Sequence, residues 1–523
     1  MKPATPTQDN SVPLTETERA MHALSRLAFG PRPGQLNEVL DVGVDKWIDE
    51  QLESKPHTSE ALDGHLSGLE TIHMTTGECR EFADSPLKPD ATREERRKRN
   101  DLRNQPILEL TQAVALRAIH SDRQSEEVLC EFWRNHLNVS FTKGYPAQTY
   151  IPNYEERVVR ANVLGNFPDM LGASAKHPAM LHYLDNYLSR KPPSKAELND
   201  IEIKARNQAG SRDRGVEAAA IAAQRGINEN YARELLELHT LGVDREYRQK
   251  DVIAVAESLT GWTIDEGRKA TYNFIFNHDM HIAEDRHFLG STLRKDKQKS
   301  TGQGDRIFEI LSNHKGTAEF IATKLVRYLT SDVPPPELVK LVAKTYLKSK
   351  GDIPSMVRTI TGSDLFWARE NYRCKFKTPF EFLVSALRVT DAEITKPEML
   401  GKGLTVMGQP IYSCDDPTGY YDTAEAWLDP GVLAPRWNLA LQLARGDLKG
   451  VQMPDSFFYE LPTEKGALRW MQAMIAKVLP AGASSRTLAM LFQVIQGEKN
   501  PDFEKLGPVA LGLLLGSPDF QQQ

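Results

Sequence analysis

Basic residues are not in excess in this chain. Lys and Arg number 65 against 71 Asp and Glu, a formal net charge of −6. No global electrostatic case for nucleic acid follows from that balance. Cysteine is scarce too. Cys79, Cys130, Cys374 and Cys414 are widely spaced with no Cys-x-x-Cys pair, which argues against a zinc ribbon, a thioredoxin-like motif or covalently held haem. A single bridge, Cys374–Cys414, stays open. The most apolar run, residues 509–515, is too short to span a bilayer. Residues 1–13 are polar and rich in Pro and Thr, so no export signal is visible. The expectation is therefore a cytosolic protein, or a mature form with a new initiator Met. A Gly-x-Ser-x-Gly elbow, a Walker loop, a dinucleotide fingerprint and a fixed-period repeat are all absent.

What is present is helical. The hydrophobic fraction is 40% with 26% charged, ordinary for a globular protein. Apolar residues recur at helical spacing over most of the length. Thr15 and Glu18 make a capping box, and Pro31 and Pro33 stop the helix that follows. A second amphipathic helix is expected from Gly34 to about Leu52. Residues 74–105 read as a polar insert whose Arg-rich run is a solvated helix end, because acidic residues are interleaved and no aromatics stand by to stack on bases. Residues 271–276 have strand composition, and 287–290 are expected to return as their partner. The fold class is mainly α, a multi-helix body with one small β-hairpin around 271–290. Five regions are expected: a disordered leader at 1–14, a helical region at 15–188, a charged insertion at 189–225, a central helical region at 226–390, and a C-terminal loop and helical region at 391–523.

The stretch 228–242, Asn-Glu-Asn-Tyr-Ala-Arg-Glu-Leu-Leu-Glu-Leu-His-Thr-Leu-Gly, organises the rest. It reads as one helix of good formers closed by Gly242. At about 100° per residue, Asn230, Glu234 and Glu237 share one arc, while Leu235, Leu236 and His239 share another. Glu229–Arg233 and Arg233–Glu237 are i,i+4 pairs, as a solvated face also has. The helix is expected to lie between N- and C-terminal helical layers.

Further motifs stand beside it: a run from His22 to Pro31, Phe132-Trp-Arg-Asn-His136, Leu184-Asp-Asn186 and Leu259-Thr-Gly-Trp262. His281, Phe288-Leu-Gly290, Lys377-Thr-Pro-Phe-Glu-Phe382, Gly408-Gln-Pro410 and Gly419-Tyr-Tyr-Asp422 complete the set. Together these resemble the bacterial "domain of unknown function 1800" family over nearly the whole chain. The resemblance implies an exported protein, periplasmic or secreted, often encoded beside a second protein that would be its partner.

Two chemistries suit these residues. His22, His136, His239 and His281, with nearby carboxylates, carry the lone pairs a divalent metal takes, although no two show His-x-x-x-His spacing. Alternatively, Glu234 and Glu237, with Asp185 opposing, supply a general acid and base as in glycoside hydrolysis. Asn230, Trp133, Trp262, Tyr420, Asp422 and Trp427 would then line a polysaccharide cleft. The leading expectation is an exported hydrolase of an extracellular or envelope glycan. The competing one is a non-enzymatic binding or assembly factor for the co-encoded protein.

Overall fold

The computed structural model describes residues 12–55, 59–84, 86–88, 90–223, 226–267, 270–295, 300–463, 466–495 and 502–523. Residues 1–11 of the expected leader lie outside them. The architecture is mainly α, and among the described residues the strands make three two-stranded antiparallel sheets. Helix starts are written locally: Thr15/Glu18, Thr75/Glu78, Thr92/Glu95, Ser194/Glu197 and Thr378/Glu381 all form reciprocal capping boxes. The Arg-rich run of the polar insert is the exposed first part of the long helix Arg93–His120.

Three expectations change in detail. The helix placed at 34–52 is two helices, Gln35–Val42 and Val44–Gln51, broken at Gly43, whose φ of 92° no helix accommodates. Residues 271–276 do not pair with 287–290. Phe274–Phe276 instead pairs back onto Trp262–Ile264, and Arg286–Phe288 pairs forward with Ser291–Leu293. The two-residue loop Leu289-Gly290, with φ of 44° and 78°, closes that second hairpin tightly and decides its partner. Finally, all four cysteines are free thiols, so the Cys374–Cys414 bridge is not formed.

The charged insertion forms two helices, Lys195–Ala209 and Arg212–Ala223, which pack chiefly on each other. Elsewhere one continuous core joins N- and C-terminal helices, from Leu24 through Trp133 and Leu236 to Leu514. The chain end closes onto it, because Gln523 exchanges backbone hydrogen bonds with Lys375. No helix among the described residues is long and apolar enough to cross a membrane.

Candidate functional site

The central stretch is not one regular helix. Asn228 caps it, accepting from the Tyr231 amide at 3.0 Å and donating to the Leu184 carbonyl at 2.6 Å. An α-helical part, Glu229–Glu234, gives way to a π turn, Leu235–Thr240, and the Thr240 hydroxyl donates to the Leu235 carbonyl at 2.6 Å. A π turn holds more residues than an α turn, so the 100° spacing fails beyond Glu234. One side remains buried, with Tyr231, Leu235, Leu236 and His239 in the core.

On the other side Asn230 lines an open cleft of about 240 Å³ with Thr142, Lys143, Tyr183 and Asp415. Asp185 does not line it but pairs with the lining Lys143 at 2.7 Å, both side chains partly exposed. Glu234, one turn along from Asn230, is half-buried and makes no hydrogen bond to the described residues. Burial pushes its carboxyl above the ordinary glutamate value, and the charges of Glu237 and Asp416 push the same way. Glu237 pairs with Arg233 at 3.4 Å. The acidic loop is fixed from below, since Tyr183 donates to the Asp415 carbonyl and Asn138 to those of Cys414 and Asp416. Gly419 lies so close to Asn135 that any Cβ there would collide with it, and Asn135 bonds both the amide and the carbonyl of Tyr420. Asn230 thus lines the cleft, Glu234 feels Glu237 and Asp416, and Asp185 meets the cleft through Lys143.

Other expected residues do not join it. Trp133 and Trp262 have no exposed surface and stack on Phe167 and Phe308, so neither has a face to offer a saccharide. Trp427 is 6% exposed, its indole N–H donating to the Tyr421 carbonyl. Tyr420 is half-buried and bound to the Pro410 carbonyl, which makes it a loop anchor. Asp422 does not line the cleft, and its charge acts on Lys324.

The four histidines are likewise dispersed. His22 bonds the Phe366 carbonyl, His136 the His239 carbonyl, and His281 the Thr260 carbonyl. A carbonyl only accepts, so in each case that ring nitrogen carries the proton. The rings of His136 and His239 lie 6.4 Å apart, and burial pushes both well below the usual histidine value, His239 to about 3. Among the described residues no three His, Cys, Asp or Glu groups converge as a metal set. The donor arrangement does not fit a bound divalent ion. Aromatic packing accounts for these imidazoles.

Two features escaped sequence reasoning. The adjacent Asp415-Asp416 in a Pro-containing loop was a legible signal, an acidic pair beside the Gly419 motif. Glu155 was not legible. It opens a second π turn, Glu155–Val159, is fully buried, and takes a two-pronged ion pair from Arg134 at 3.0 and 2.8 Å and a bond from the Tyr412 hydroxyl at 2.6 Å. Burial alone would raise its carboxyl, but Arg134 overcomes this and holds it at about 2.

No curated protein and no solved structure matches this chain. A family model described as "Protein of unknown function (DUF1800)" matches residues 22–522. With nearly the whole length covered, the chain belongs to the DUF1800 family.

Proposed function

We propose that this protein is an exported hydrolase that cleaves an extracellular or envelope glycan by carboxylate acid/base chemistry. The observation that carries the reading is Glu234. It is a half-buried carboxyl with no hydrogen-bond partner among the described residues, pushed toward its protonated form by burial and by Glu237 and Asp416. A carboxylic acid in that state gives a proton to a departing glycosidic oxygen. The opposing carboxylate comes from Asp415 or Asp416 on the loop, or from Asp185, which reaches the cleft through its pair with Lys143. Asn230 orients the substrate, and Lys143, partly exposed, supports charge developing on it. The buried tryptophans argue against a stacking platform, so selection would rest on hydrogen bonds to hydroxyl groups.

Turnover of purified protein on a panel of envelope glycans tests this. Glu234→Gln should lower kcat by roughly 10²–10⁴ with KM little changed, the range expected for losing a general acid. Wild-type rates retained by this variant would end the proposal.

A second reading, a binding or assembly factor for a co-encoded protein, is favoured by the self-packed helices of residues 195–223. Ile203, Val216 and Ile221 are each about half exposed there. Stoichiometric capture of that partner, lost when these three become serine, together with no turnover on the panel, would select it.

A further inference from the structure

A second cavity lies among the first helix, Glu16–Arg26, the loop before the helix Pro379–Thr390, and the end of the chain. Its walls include Met21, His22, Tyr372, Lys377, Val478 and Phe520. About 40 Å³ is open to water-sized occupants. One water needs roughly 10–15 Å³ on that measure, so the space suits a ligand of about three or four heavy atoms.

The charge around it is lopsided. Lys377 is 7% exposed, with its ammonium 4.0 Å from the centre of the Phe520 ring. Among the described residues no carboxylate lies within ion-pairing distance of it. Arg436 has no exposed surface and spends one nitrogen on the Lys377 carbonyl and Gln521, while its Nε and other Nη have no protein partner. Arg26, also buried, reaches only carbonyls and the Cys374 sulfur, leaving Nε and Nη1 without one. All three cations feel the carboxylate of Glu381, which already accepts from the Thr378 amide and from Gln523, and Arg26 feels Asp332 as well. The buried Tyr372 hydroxyl makes no well-formed hydrogen bond among the described residues and has the Arg373 guanidinium beside it. Arg373 and Asp519 also line the cavity and pair only loosely with each other, at 3.8 Å. His22 is held neutral by burial.

A buried ammonium without a counter-ion is costly; it sheds its proton or acquires an anion. We propose that this cavity binds a small monocarboxylate of acetate size, its oxygens held by Lys377 Nζ and the Tyr372 hydroxyl and its methyl end against Met21, Val478 and Phe520. Inorganic phosphate, bulkier and without an apolar end, does not suit these walls. Burial draws the Lys377 amine down to about 7, with Glu381 opposing and Arg373 and Arg436 reinforcing the shift. Since only the charged amine attracts the anion, affinity should fall as pH rises through that value.

Calorimetric titration of the full chain with sodium acetate, against sodium chloride at matched ionic strength, tests the idea. Saturable binding should be roughly twenty-fold weaker at about pH 8.5 than at about pH 6.5, because most of the amine is then neutral. Lys377→Met should abolish binding, and Tyr372→Phe should weaken it several-fold. Undetectable acetate binding by the wild type, unchanged affinity in folded Lys377→Met, or phosphate binding as tightly as acetate would overturn it. Should Lys377→Met not fold, the pH dependence and Tyr372→Phe decide: a flat profile with unaltered affinity in the tyrosine variant rejects the site.

Discussion

Two glutamates at two π turns take opposite fates in this protein. Glu155 opens one wide turn in the core and is held ionised by Arg134 and Tyr412. Glu234 directly precedes the other, half in solvent, with its carboxyl pushed up. Residue type and local helix distortion are shared, so neither explains the difference. What separates them is a guanidinium within bonding distance of the first and other carboxylates near the second. The first is a clasp joining the helix Gln124–His136 to the wide turn. The second is free to exchange a proton.

The comparison can be broken most forcefully at the clasp. Arg134→Met takes the ion pair from Glu155 and Glu131 together, leaving Glu155 only the Tyr412 hydroxyl and the charge of Arg160, and should cost about 3–5 kcal/mol in chemical denaturation, as removal of one partner of a buried pair does. A loss below about 1 kcal/mol would mean that water reaches Glu155 and that the contrast with Glu234 is overstated.

Acid acts more diffusely. Burial lowers His22, His136, His177, His182, His239 and His281, with His177 and His239 brought to about 3 and His182 to about 4. Their unfolded value is near 6.5, so between that and the folded value the unfolded chain binds more protons. Stability is then fully present above about pH 6.5 and falls as pH drops below it, by about 1.4 kcal/mol per pH unit for each such histidine. Thermal unfolding across that range should show a steep decline beginning near neutrality, well before Glu155 is protonated. A flat profile down to about pH 5 would show that these rings reach water.

At the other glutamate the expected stability effect changes sign. Because its folded carboxyl is raised, ionised Glu234 costs stability as pH rises above about 4.5, so Glu234→Gln should be neutral or stabilising by up to about 1 kcal/mol at neutral pH. Glu155→Gln, by contrast, should be clearly destabilising. Equal losses in both variants would make Glu234 a second clasp and remove the physical basis of the proposed acid. Smallest of all, serine at Ile203, Val216 and Ile221 should move the melting point by the equivalent of no more than about 0.5 kcal/mol, as exposed substitutions do. A larger shift would show that the two-helix arm packs on the body.

Much of the fold was readable in advance because helix signals are local. The capping box at Thr15 and Glu18 and the breaks near Pro31 follow from chemistry within a few residues. Pairing of the short strands was less readable. Strand composition at 271–276 says nothing about which neighbour supplies the partner, and the positive φ of Leu289 is a property of the finished turn. The site divides in the same way. Asn230 and Glu234 fall one turn apart within the regular helix, whereas the π turn carries Glu237 off the expected arc, and Trp133 and Trp262, indistinguishable from cleft aromatics in sequence, are core.

By itself the sequence determined the helical class, the main helix boundaries and the amphipathic sidedness of the central stretch, since backbone propensity, caps and 3.6-residue periodicity act over one or two turns. Only tertiary structure decided which carboxyl is raised and which is held ionised, which histidines stand apart and where a lysine goes without a counter-ion. Those properties depend on desolvation and on charges and hydrogen-bond donors from other segments, some hundreds of residues away, as Tyr412 is from Glu155.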